Sequence, residues 1–348
     1  MPQLTPEEAV SLFLINFLAI LWEAMPFIVL GAILAGILEE FLPQQAITKF
    51  LPKPMLPAVM IGALLGLIFP MCECGIVVVM RRLLRKGLPL GVCIAYMLAG
   101  PIINVVVMIS TWVAFRDHKI APEMLALRIG LAFLVATVTG LIVQFQYRKY
   151  GKSLLVDIAA PLTVPTASAV PQSAPVPQVA LQKQNSNTPT NDLPPQKKAF
   201  IDRLGNISAT AMHDFVDITL FLIIGAALAA GAKLFITPGQ VESLSREQPY
   251  LAIPAMMALA VIMCLCSEAD AFVAASFTEL HVTAKLAFLV LGPMLDLKLL
   301  MMYTRVFRPR LIVILVLCVT IQVLVYCLIV HLVYQANHWT GLPGTPGS

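Results

Sequence analysis

The chain has 348 residues, of which 59% are hydrophobic and only 12% are charged, with a formal net charge of +4 and a mean hydropathy of +0.87. A soluble domain carries roughly 25% charged residues, so the composition excludes an ordinary soluble protein. The sequence offers no basic face or aromatic platform, and a nucleic-acid-binding function is therefore excluded as well.

Long apolar segments recur along the whole chain, and most of them reach the roughly 20 residues that a helix needs to span a bilayer. The first follows an N-terminus, "MPQLTPEEAV", that lacks the basic region of a cleavable signal, so we expect it to be a retained span. The pattern predicts an all-α polytopic protein that crosses the inner (plasma) membrane several times. The segments are Leu12–Leu38, Leu56–Met80, Leu88–Trp112, Ala126–Val143, Ile218–Ile236, Ala252–Cys266, Ala284–Tyr303 and Leu311–Val333.

A polar segment divides the chain into two membrane halves. Residues 151–200 are rich in Pro, Gln, Ser, Thr and Asn, and such a segment cannot bury enough apolar surface to become ordered. Basic residues such as Arg148 and Lys197 flank the segment on both sides, which places it in the cytoplasm. The sequence thus predicts a first membrane repeat at 1–150, a disordered Pro-rich linker at 151–200 and a second membrane repeat at 201–340.

The two halves share motifs in the same order and register. "MCECG" (Met71–Gly75) corresponds to "MCLCS" (Met263–Ser267). Exactly 26 residues after the second cysteine of each pair, "GPIIN" in the first half corresponds to "GPMLD" in the second. Further upstream, Glu23 aligns with Asp217. We interpret this as an internal repeat of two homologous helical halves, which is a common construction among transporters.

The C-x-C segments are predicted to interrupt their helices. On a straight helix, residues i and i+2 lie about 200° apart and cannot share a ligand, whereas an extended segment allows it. Pro70 and Gly75 favour such a break in "PMCECG". Cys264 and Cys266 lack comparable helix-breaking neighbours, so unwinding is less strongly indicated in the second half.

Two topologies are compatible with the apolar segments. If each C-x-C segment crosses the membrane, each half has four crossings, the halves are parallel, and several basic loop residues fall outside. If each segment re-enters and turns back, each half has three crossings, the halves are inverted, and most Lys and Arg residues lie inside. The positive-inside tendency favours the inverted arrangement with re-entrant segments.

Ionisable and amide side chains within the apolar segments are the candidate site residues, because charge in a bilayer is costly and usually faces a cavity. The alternatives are that Asp296 simply pairs with Lys298, that Glu73 meets Arg81 or Arg82, and that other acidic groups are solvated near the interface. With the paired thiols, the predicted substrate-binding or translocation residues are Cys72, Glu73, Cys74, Asn104, Cys264, Cys266, Glu268, Asp270, Asp296 and Lys298.

Soft thiolate ligands select soft ions such as copper(I), zinc or trivalent metalloids. If both pairs met at the repeat interface, Cys72, Cys74, Cys264 and Cys266 would offer up to four sulfur ligands. The alternative is that these cysteines are small residues that let helices pack closely, as we expect for Cys93, Cys318 and Cys327.

Taken together, "MCECG", "RRLLRKGLPLGVCIAYMLAGPIIN", "CSEADAFVAASF" and "LAFLVLGPMLDLK" resemble the predicted permease family of the ArsP/YraQ type, over nearly all of both halves. This resemblance implies a permease, and in some members export of trivalent organoarsenicals with cysteines implicated in substrate binding. The chain differs from the family pattern in having Glu73 between its cysteines and Ile76 where a proline commonly follows.

The predicted function is therefore non-enzymatic transport of a small solute, such as a soft metal or metalloid, with efflux as the direction implied by the family. No P-loop is present in the sequence, and no cofactor is predicted. Two other hypotheses stay open: a membrane thiol–disulfide or electron-relay protein, and a non-catalytic subunit of a larger permease. The predicted partners are the lipid bilayer, a small-molecule or ion substrate and a partner membrane subunit.

Overall fold

A computed structural model describes residues 6–41, 52, 54–116, 120–151, 200–233, 249–278 and 280–337. Within these ranges the chain forms twelve α-helices and one 3-10 turn, Leu65–Leu67. In chain order the helices are α1 (Pro6–Phe41), α2 (Met55–Leu64), α3 (Glu73–Arg85), α4 (Leu90–Ala99), α5 (Val105–Phe115), α6 (Ala121–Tyr150), α7 (Phe200–Lys233), α8 (Pro249–Met263), α9 (Asp270–Ser276), α10 (Val282–Met294), α11 (Leu297–Thr304) and α12 (Pro309–Ala336).

Four stretches of the described chain are long and apolar enough to cross a membrane: Glu7–Leu38, Ala121–Lys149, Val282–Thr304 and Pro309–Ala336. The third comprises α10 and α11 with the short break between them. The prediction of a helical membrane protein is thus confirmed. Several of the predicted apolar segments, however, are divided between shorter helices instead of forming one continuous span.

The long helices expose bulky apolar side chains. Trp22 and Ile15 on α1 are 86% and 65% exposed, and Ile321 and Leu332 on α12 are each 57% exposed. A contiguous apolar surface of this kind is rare on a protein surrounded by water. These faces therefore contact the hydrocarbon of the bilayer.

The predicted linker, 151–200, lies outside the described residues except at its two ends. Gly151 caps the C-terminus of α6, and Phe200 is the first residue of α7.

The chain reverses direction between α2 and α3, at residues 68–72. A Cβ added to Gly62 would lie 3.2 Å from Val92 Cα, and one added to Gly66 would lie 2.6 Å from Gly100 Cα, so α2 and α4 run in the same direction. Gly100, after the end of α4, also lies beside Ile76 near the start of α3, so α3 and α4 run in opposite directions. It follows that α2 and α3 form an antiparallel hairpin.

In contrast, α4 and α5 continue in one direction past the break between them. Gly91 on α4 approaches Gly140 on α6, and Thr111 on α5 bonds to Arg128 on α6. Both helices are therefore antiparallel to α6, with α4 beside its later part and α5 beside its earlier part.

Two helices of the second half begin at positions related to those of the first by a shift of 192 residues. This shift separates the first residues of α4 and α10, Leu90 and Val282, and the N-caps of α5 and α11, Asn104 and Asp296. The contacts between the halves are reciprocal. In the first half, α3 packs against α11 of the second half, and α5 packs against α9 of the second half.

The two Gly-Pro pairs do not break their helices in the same way. In the first half α4 ends at Ala99, directly before Gly100. In the second half α10 contains Pro293 and continues to Met294. In both halves the helix thus ends at or beside the Gly-Pro pair, before Asn104 or Asp296, which is the N-cap of the next helix.

Candidate functional site

The first C-x-C segment forms the N-terminus of a buried helix. Cys72 is the N-cap of α3, with extended backbone angles (φ −69°, ψ 169°), and Glu73 and Cys74 lie in its first turn. A carboxylate in the first turn interacts favourably with the positive end of the helix dipole. The segment thus directs two thiols and an acid to one helix end.

The second C-x-C segment is non-helical from Cys264 to Cys266, although no proline or glycine is present in it. Cys264 has a φ of 46°, in the left-handed region, which costs a residue with a Cβ roughly 1–2 kcal/mol. Its carbonyl oxygen accepts a hydrogen bond from Lys298 Nζ at 3.4 Å. This tertiary contact holds a conformation that the local sequence alone does not favour.

A cleft between the two halves brings both C-x-C segments together. The cleft is narrow and partly open to the outside, and its cavity volume of about 10 Å³ is close to what one water molecule needs. The lining side chains come from α1, from the N-terminus of α3, from the second C-x-C segment and from α11. They are Ile20, Glu23, Ala24, Phe27, Cys72, Glu73, Cys74, Cys266 and Lys298.

Lys298 is the centre of the charged groups in this cleft. Its Nζ lies 2.7 Å from Glu73 Oε1 and 3.5 Å from Asp296 Oδ2, and all three side chains are at most 3% exposed. Asp296 thus pairs with Lys298, as one alternative from the sequence proposed, but Lys298 also contacts Glu73. Glu73 meets this lysine of the other half, whereas the sequence reasoning offered Arg81 or Arg82 as its partner.

Cys266 connects two further carboxylates. Its Sγ lies 2.7 Å from Glu23 Oε1 and 2.9 Å from Glu268 Oε2. Glu23 comes from α1 and Glu268 from the turn before α9, so the thiol also joins the two halves.

Asp270 belongs to a second buried ion pair between the halves, with Arg128 of α6. Arg128 Nη2 donates to both carboxylate oxygens of Asp270, at 2.9 and 2.7 Å, and Nη1 donates to Thr111 Oγ1 at 2.7 Å. Arg128 is 1% exposed. The sequence reasoning missed Arg128, even though an arginine inside the apolar segment Ala126–Val143 was a visible signal for a buried partner.

The remaining predicted residues lie around the cleft but do not line it. Asn104 caps α5, where its Oδ1 accepts a hydrogen bond from the Val107 backbone N–H at 2.9 Å. Cys264 belongs to a small apolar cluster with Ile20 and Ala226, although its carbonyl reaches Lys298. Asp217 lies in α7, and its side chain is outside the described residues.

The thiols are not arranged as a ready-made metal site. All seven cysteines are free, and Cys93 and Cys327 are buried, as expected for packing residues. Among the residues that the structure describes, no three His, Cys, Asp or Glu side chains converge closely enough to hold a metal ion. What the cleft does present is a set of three thiols, two carboxylates and one ammonium group in an apolar surrounding.

Comparisons with known proteins give a consistent result. Residues 9–332 match the ArsP_1 family, described as a predicted permease. A UPF0718 protein, YcgR, of Bacillus subtilis is 33% identical over 315 residues, which is 90% of this chain and 95% of that protein. A putative two-component membrane permease complex subunit of Streptococcus mutans is also 33% identical, over 90% of this chain and 93% of its own length. No solved structure matches the chain significantly. The chain therefore belongs to the ArsP_1 family of predicted permeases.

Proposed function

We propose that the protein is a permease of the inner (plasma) membrane that exports a small thiol-reactive solute, a soft metal or metalloid such as an organoarsenical. The observation that carries the proposal is the cleft, in which Cys72, Cys74 and Cys266 from both halves meet Glu73 and Lys298 inside an apolar helical bundle. Ionisable groups at such a place are functional by default.

The burial of the thiols favours binding over disulfide exchange. Cys72 and Cys74 are each 1% exposed and Cys266 is 6% exposed. Exchange with another protein requires access of an attacking thiolate to the sulfur, whereas a small solute needs only the cleft. The burial of these sulfurs therefore favours transport of a small solute over an electron relay.

The proposal includes an inverted repeat. The constant shift of 192 residues between equivalent helix starts supports it, as does the reciprocal packing of α3 against α11 and of α9 against α5. Reciprocal contacts of this kind are expected when a pseudo-two-fold axis relates the halves.

We further propose that each half crosses the membrane three times. The antiparallel arrangement of α2 and α3 supports a re-entrant hairpin with Cys72 near its tip, while α4 and α5 together form one interrupted crossing. Non-helical backbone at membrane depth is tolerated where it is buried in protein or lines a cavity, and both C-x-C segments meet that condition.

A partner subunit is a second element of the proposal. One relative is named as a subunit of a two-component membrane permease complex. By analogy, this chain acts together with a second membrane subunit, for which the linker of residues 151–200 is a plausible docking segment.

The test is a panel of soft metals and trivalent metalloids applied to a strain that lacks this gene. Wild type should restore resistance to at least one compound, because the cleft binds it for export. The variant Cys72→Ser/Cys74→Ser should leave the strain as sensitive as the deletion, since serine is a poor ligand for soft ions. Cys93→Ser, a buried thiol of α4 outside the cleft, is the matched control and should restore resistance fully. Equal complementation by all variants for every compound would refute the role of sulfur.

A further inference from the structure

The cleft contains more hydrogen-bond acceptors than donors. Glu73 Oε2 is buried and has no hydrogen-bond partner among the described residues, and the buried Asp296 Oδ2 has a long contact, 3.5 Å, with Lys298 Nζ. A buried acceptor without a donor is energetically unfavourable, and more so when it is charged. These oxygens therefore favour a ligand that brings positive charge.

Cys266 shows the same imbalance. Its thiol carries one hydrogen, yet its sulfur lies within 2.9 Å of both Glu23 Oε1 and Glu268 Oε2. One S–H group can satisfy only one of these two carboxylates.

The charges add to this excess. Glu73 and Asp296 lie against Lys298, and Glu23 and Glu268 lie against Cys266, so four acidic side chains meet one ammonium group at this cleft. An oxyanion would be repelled here, and a neutral metalloid would leave the buried acceptors unsatisfied.

From this arrangement, and resting on the proposed transport function, we infer that the cleft takes a soft metal cation and that the Lys298 ammonium group is an internal counter-ion that this cation displaces from Glu73. Lys298 Nζ occupies the position between Glu73, Asp296 and the Cys264 carbonyl that a bound cation would take. Cys72 and Cys74 at the same cleft supply the soft ligands.

The exchange requires a second partner for the displaced ammonium group, and Asp296 provides it at 3.5 Å. A lysine side chain has a flexible four-carbon stem, so a shift of this size needs no backbone movement. While Lys298 occupies the centre, the ligands are spread around it, which fits the lack of any converged set of three within the described residues. Lys298 thus competes with the substrate and sets its affinity.

The test measures cadmium(II) binding by full-length protein in lipid nanodiscs by calorimetry. Lys298→Met removes the competing charge at similar side-chain length and should tighten cadmium(II) binding by roughly tenfold or more, since a unit charge within a few ångströms changes affinity by at least that factor. Lys298→Arg keeps the charge and should not tighten binding. Glu73→Gln should weaken it. Lys285→Met, which removes another buried lysine away from the cleft, is the matched control and should bind as wild type does.

Since Lys298→Met leaves two acids without their counter-ion, the variant is also followed by thermal unfolding. Cadmium(II) should raise its Tm more than that of wild type, and Glu73→Gln/Lys298→Met should fold without responding to the metal. Affinity that is unchanged or weaker in Lys298→Met overturns the inference, as does an equal Tm response of both proteins. If liposomes with wild type move trivalent methylarsenical but neither bind nor move cadmium(II), the cation inference fails while the permease proposal stands. If no probe moves, the proposed function fails too.

Discussion

At the scale of single residues, the buried pair of Arg128 and Asp270 joins the two halves away from the cleft. The two terminal nitrogens of the guanidinium group donate to Asp270, to Thr111 and to the Ser267 carbonyl, whereas Nε is buried without a hydrogen-bond partner among the described residues. Such a group is tolerated in an apolar environment only because it is paired and hydrogen-bonded, and the loss of one partner leaves an uncompensated charge.

Arg128→Met should therefore destabilise the protein by roughly 3–5 kcal/mol, because it leaves Asp270 buried and unpaired. Thermal unfolding in detergent measures the loss. Arg128→Met/Asp270→Leu, which removes both charges, should recover most of the stability. If the double variant is as unstable as the single one, the pair contributes through something other than its charge.

The sequence identified which residues carry unusual chemistry better than it identified their partners. Glu73, Asp296 and Lys298 are buried ionisable groups, as their positions in apolar segments predicted, and Asp270, which follows the segment Ala252–Cys266, is buried too. Pairing between Glu73 and Lys298 joins residues far apart in the chain, and no local pattern indicates it. Arg128 was missed because a single charge does not alter the apolar character of its segment.

At the scale of helices, close packing depends on glycines at a few contact points. A Cβ on Gly66, in the 3-10 turn after α2, would lie 2.6 Å from Gly100 Cα and 2.7 Å from Ile103 O. These are backbone atoms, which cannot rotate away as a flexible side chain can. The position of the α2–α3 hairpin thus depends on the missing side chain at Gly66.

Gly66→Val should destabilise the protein by about 1–3 kcal/mol or more, since overpacking against backbone forces the helices apart. The comparison is Gly130→Ala on α6, where an added Cβ meets nothing within 4 Å. That control should be neutral or stabilise by roughly 0.5–1 kcal/mol, through the better helix propensity of alanine. Equal Tm values for wild type and Gly66→Val would show that the hairpin can shift without loss.

The helix breaks were predictable only where proline or glycine residues mark them in the sequence. Pro70 precedes the break at the first C-x-C segment, and α4 ends before Gly100. The second Gly-Pro pair is also followed by a break, because α10 ends at Met294, one residue after Pro293. The non-helical stretch at Cys264 has no such signal, and its backbone depends on tertiary packing, which single-sequence reasoning does not include.

At the scale of the whole molecule, the class of helical membrane protein followed from composition, whereas the path of the chain required the contacts between helices. Apolar segments such as Leu56–Met80 are long enough to span, so length alone allowed a crossing. The antiparallel α2 and α3 favour the re-entrant alternative instead.

Labelling of introduced cysteines with a membrane-impermeant reagent distinguishes the two topologies. With three crossings per half, Pro54→Cys and Ser186→Cys in the linker should label from the same side, and Thr278→Cys from the opposite side. With four crossings per half, Thr278→Cys should share the side of the linker, and Pro54→Cys should not. Wild type is the control, because six of its thiols are buried and Cys318 is half-buried.

Neither of the two buried ion pairs described above has a counterpart at the equivalent positions of the opposite halves. The shift of 192 residues takes Glu73 and Lys298 to Leu265 and Val106, and it takes Arg128 and Asp270 to Thr320 and Val78. The first half thus contributes one acid and one base whose complements exist only in the second. Two copies of either half would bury unmatched ions, so neither half can replace the other.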